Sequence, residues 1–68
     1  MNKQQIKYRA LWALEFGKKH NYTGIIEDAN LILAMLKTKV PWEIMRHQIV
    51  GSKGYGTIVR VWNRNPIL

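Results

Sequence analysis

Ile49-Val50-Gly51-Ser52-Lys53-Gly54-Tyr55-Gly56-Thr57-Ile58-Val59-Arg60-Val61-Trp62 is the stretch whose reading decides the fold. Gly51, Gly54 and Gly56 supply the backbone freedom that a hairpin connection needs. Beyond them, Thr57 to Trp62 is rich in β-branched residues and alternates: Val59 and Val61 face one way, Ile58, Arg60 and Trp62 the other. A β-hairpin over about residues 49–62 is therefore expected, with Lys53-Gly54-Tyr55-Gly56 at its tip. The tail, residues 63–68, reads as irregular because Pro66 ends strand pairing.

Upstream, the pattern is helical. Pro41 fits the first position of a third helix over about residues 41–49, where its missing N–H is harmless. On that helix Trp42, Met45 and Ile49 share a face with Arg46 at its edge, while Glu43, Ile44, His47 and Gln48 point elsewhere. A second helix, about 24–37, carries Ile25, Ile26, Ala29, Ile32, Leu33 and Leu36 on one broad face and leaves Leu31 and Met35 outside it. Thr23 is its expected N-cap, which places Glu27 and Asp28 in its first turn. A first helix, about 3–19, opens with a capping-box pair, Asn2 and Gln5. It has two apolar faces: Ile6, Ala10, Ala13, Leu14 and Gly17 on one, and the aromatic stripe Tyr8, Trp12 and Phe16 nearly opposite. His20 to Thr23 and Thr38 to Val40 are the breaks between helices.

The 68 residues are expected to form one small domain, close to the size below which chains need staples. No cysteine is present, so the core must come from apolar packing, for which a 47% hydrophobic composition suffices. The polar start, Met1-Asn2-Lys3-Gln4-Gln5, does not read as a signal peptide, and the longest apolar run, Leu31 to Leu36, is far too short to cross a bilayer. A cytoplasmic protein is expected, nucleoid-associated if it binds DNA. The net charge is +7. Residues 1–20 hold five bases and one acid, residues 21–36 only Glu27 and Asp28, and residues 37–68 six bases and one acid. Basic ends around a mildly acidic middle attract polyanions.

Three helices followed by a basic hairpin make an α+β layout that resembles the winged helix-turn-helix class of nucleic-acid-binding domains, and the resemblance spans most of the chain. It implies double-stranded DNA as partner, with the third helix in the major groove and the hairpin as a wing. Glu43, Ile44, Arg46, His47 and Gln48 are then the base-reading candidates; Arg46 suits guanine, Gln48 adenine and Glu43 the cytosine amino group. Lys53, Tyr55 and Arg60 belong to the wing, and Lys37 and Lys39 to a phosphate-contacting turn. Trp42 and Trp62 are read as core.

The expected role is that of a small DNA-binding regulator or accessory factor. Its minimal length suits phages or other mobile elements. The aromatic stripe Tyr8, Trp12 and Phe16, or the Leu31 and Met35 patch, is a candidate interface for a homodimer. The same surfaces would serve the main alternative, a protein-interaction module such as a phage-encoded inhibitor of a host protein or nucleoprotein complex. RNA binding is a third reading, through Tyr55 stacking on unpaired bases. No enzyme, cofactor or metal is expected. The two histidines, His20 and His47, lie on different elements without cysteines or an acid cluster, and no glycine-rich loop links a strand to a helix.

Overall fold

The computed structural model describes residues 2–65, which form four α-helices: α1 (Lys3–His20), α2 (Thr23–Leu36), α3 (Trp42–Val50) and α4 (Lys53–Arg64). No strand occurs among the described residues, so the expected C-terminal hairpin is corrected to a helix and the α+β, winged-helix assignment falls with it.

Ser52 makes the difference. Its hydroxyl donates to the Ile49 carbonyl (2.6 Å), closing α3, and accepts from the Tyr55 N–H (3.2 Å), opening α4. One side chain thus satisfies groups at two helix ends. From there Tyr55, Ile58, Val59 and Trp62 recur at helical spacing, and Tyr55 and Ile58 are buried. A one-faced strand sends residues of opposite parity to opposite sides, so it cannot bury both. Thr57 is accommodated by back-bonding to the Lys53 carbonyl (3.1 Å). Glycine freedom is not used here: no described glycine has positive φ. Asn63 and Arg64, read as irregular tail, belong to α4; Asn65 closes it through Nδ2 on the Val61 carbonyl (3.0 Å), and residues 66–68 lie outside the described residues.

The first three helices follow their expected positions to within a residue or so at each end. Asn2 and Gln5 form the full capping box (2.9 and 3.1 Å). The small-residue face of α1 is buried at Ile6, Ala10, Ala13 and Gly17 against Ile25, Ala29, Ile32 and Leu36 of α2. Gly17 allows the closest approach: a Cβ there would lie 2.6 Å from Ile26 Cγ1 and 2.7 Å from Ile25 Cγ2. The α1–α2 turn is made by Asn21 in the left-handed region (φ 58°), with the Tyr22 N–H donating to the Gly17 carbonyl (2.9 Å) and the Tyr22 ring 5.8 Å from Phe16.

Two expected caps shift. Thr23 is the first residue of α2 rather than its cap, so Glu27 and Asp28 fall beyond the first turn, and Pro41 stands at the cap position of α3 rather than inside it. The core then joins all four helices through Ile6, Ile32, Met45, Ile49, Tyr55 and Ile58.

Candidate nucleic-acid interface

The outer face of α4 is basic along its whole length. At about 100° per residue, Lys53, Thr57, Arg60 and Arg64 fall within a sector of roughly 60°, opposite the stripe of Tyr55, Ile58 and Trp62. Lys53, Arg60 and Arg64 are exposed, α4 carries no acid, and none of these three side chains is bonded to another of the described residues. Gly56, also exposed with open space around its α-carbon, lies beside one edge of this sector, and the short Thr57 forms the other edge.

Two contacts hold that face outward. On α2, Asp28 lies against the first turn of α4, where a Cβ on Gly54 would come within 3.1 Å of its carboxylate oxygen. A carboxylate at a helix N-terminus favours the free N–H groups there. On α1, Trp62 is set edge-on to Trp12 (5.0 Å) and Tyr8 (5.8 Å), with the Arg9 guanidinium 5.8 Å from its ring centre. Arg9 also donates to the Tyr55 hydroxyl (3.0 Å). Trp62 therefore packs α4 on α1 instead of closing the base of a hairpin.

The wing residues part company. Lys53 and Arg60 share the basic sector, but Tyr55 is 3% exposed and belongs to the core, which removes its expected place in a wing and its stacking on unpaired bases. On α3, Glu43, Ile44, His47 and Gln48 are exposed and Arg46 is half-buried. Lys37 caps α2 and Lys39 is exposed in the following loop.

The interface candidates are also divided. Tyr8 (57% exposed) lies on α1, with Trp12 and Phe16 half-buried beside it in a ring stack (5.0 Å) that continues to His20 (4.4 Å). Leu31 is 60% exposed on α2, and Met35 packs partly on the core. Arg64 falls in the stretch expected to be irregular tail; its place three turns after Lys53 is a signal visible once the helix is continued. Comparison with protein-family models, with curated proteins and with solved structures returns no match. No helix among the described residues is long and apolar enough to cross a membrane.

Proposed function

We propose that this protein binds double-stranded DNA, laying the outer face of α4 into the major groove. The observation that carries this reading is the acid-free sector of Lys53, Arg60 and Arg64 on the exposed face of a 12-residue helix. Such a helix is about 18 Å long and fits a groove that admits one α-helix. The exposed cations act on the phosphate backbone, and the small residues on either side of them, Gly56 and Thr57, add little bulk to the flanks of the face. The reading element is thus α4 in place of a third helix with a wing. On α3, His47 and Gln48 remain the candidates for an accessory contact.

The test is a salt titration of binding to a short labelled duplex, followed by fluorescence anisotropy. Each phosphate contact contributes about −0.9 to the slope of log Kobs against log salt. The double variant Arg60→Glu/Arg64→Glu is expected to weaken binding to every sequence alike and to make the slope shallower by about 1.8. Both side chains are exposed, so its fold and melting midpoint should stay close to those of the parent. Absence of micromolar binding at low salt, or an unchanged slope in the variant, sinks the proposal.

A further inference from the structure

A second basic surface lies on the far side of the α1–α2 pair. Lys3, Gln4 and Lys7 of α1 and Leu33, Leu36 and Lys37 at the end of α2 line a cleft of about 290 Å³. The three lysines are exposed, and among the described residues none is bonded to another residue and no acid lines the cleft. Leu33 and Leu36 form its apolar floor. Phosphate oxygens suit the rim, and the C–H faces of deoxyribose suit the floor.

The placement of this cleft relative to α4 follows from helical geometry on both helices. On α1, Trp12 meets Trp62 of α4; on α2, Asp28 meets the start of α4. Lys7 to Trp12 and Asp28 to Leu33 are each steps of five residues, which carry about 140° round the axis. The lysine cleft therefore opens away from α4 on both helices, and the outer face of α4 looks away from both. The narrowest dimension of the protein is 18 Å. That exceeds two Debye lengths of about 8 Å at physiological salt, so two duplexes held on opposite faces repel each other only weakly.

The geometry points to a DNA-bridging protein: the lysine cleft holds the backbone of a second duplex while α4 holds the first. This rests on the reading of α4 as a duplex-binding face, and the assay separates the two. One duplex is immobilised on beads and a second, fluorescently labelled duplex is left in solution; retention of the protein reports the first contact and retention of label the second. With the full chain, label is expected on the beads. The variant Lys3→Glu/Lys7→Glu/Lys37→Glu is expected to stay on the beads but to carry about tenfold less label, and the milder Lys3→Gln/Lys7→Gln/Lys37→Gln variant to fall between. Loss of retention of the parent protein overturns the α4 reading itself. Retention without label, label unchanged in both variants, or label carried only by a dimer that these variants dissociate in sedimentation, overturns the bridging inference.

Discussion

Replacing Ile58 by alanine is expected to cost about 2–5 kcal/mol of stability. Ile58 is fully buried at the point where α4 meets the rest of the core, and it is among the largest side chains wholly removed from solvent. Truncation removes three carbons from a packed interior, and the cavity left behind adds to the lost transfer energy. The better helix propensity of alanine returns only a few tenths of a kcal/mol. A chain this small has roughly 3–10 kcal/mol in total, so the change removes a large share of the stability and should lower the denaturation midpoint accordingly. Urea denaturation followed by far-ultraviolet circular dichroism measures it. A loss below about 1 kcal/mol would place Ile58 outside the core.

Gly17→Ala is expected to destabilise by about 1–2 kcal/mol, against the usual preference of helices for alanine. The new methyl would press on Ile25 and Ile26, whose branched side chains are stiff close to the backbone, and would lie 3.2 Å from the Tyr22 carbonyl oxygen. The α1–α2 pair must then separate. Gly56 supplies the control. It is helical, nothing lies within 4 Å of a Cβ there, and Gly56→Ala should raise stability by about 0.5–1 kcal/mol. The same substitution thus has opposite signs at two helical glycines, and each kcal/mol moves the melting midpoint by about 4–8 °C in a domain of this size. A gain at Gly17 would mean that the two helices are not in close contact.

Three of the four helices were legible in the sequence because their signals agree with one another. Asn2 and Gln5 mark a start, Gly17 and its small neighbours mark a contact face, and the apolar positions from Ile25 to Leu36 keep one period throughout. In residues 57–62 the signals conflict. Ile58, Val59, Val61 and Trp62 satisfy a period of two about as well as one of 3.6, and β-branching with nearby glycines favours the strand. Tyr55 breaks the tie, because only a helix sets it beside Ile58 and Trp62, and Ser52 three residues before it is the cap. Tertiary burial at Tyr55 and Ile58 then outweighs local propensity.

The same error hid most of the candidate interface. As parts of a wing Lys53 and Arg60 have no link to Arg64; their alignment with it exists only on a helix. Lys3 and Lys7 lie near the start of the chain and Lys37 just past the end of α2, so no local pattern joins them; only the packing of α1 on α2 does.

Backbone amide shifts of the isotope-labelled protein, recorded during titration with a short DNA duplex, test the central claim most directly, because they report the structure of residues 53–64 and the bound surface together. The expected result is a continuous run of helical shifts from Lys53 to Arg64, with the perturbations at low protein-to-duplex ratio concentrated at Lys53, Gly56, Thr57, Arg60 and Arg64. Strand-like shifts after Gly56, or a helical α4 whose outer face stays unmoved while duplex is bound elsewhere, would contradict it.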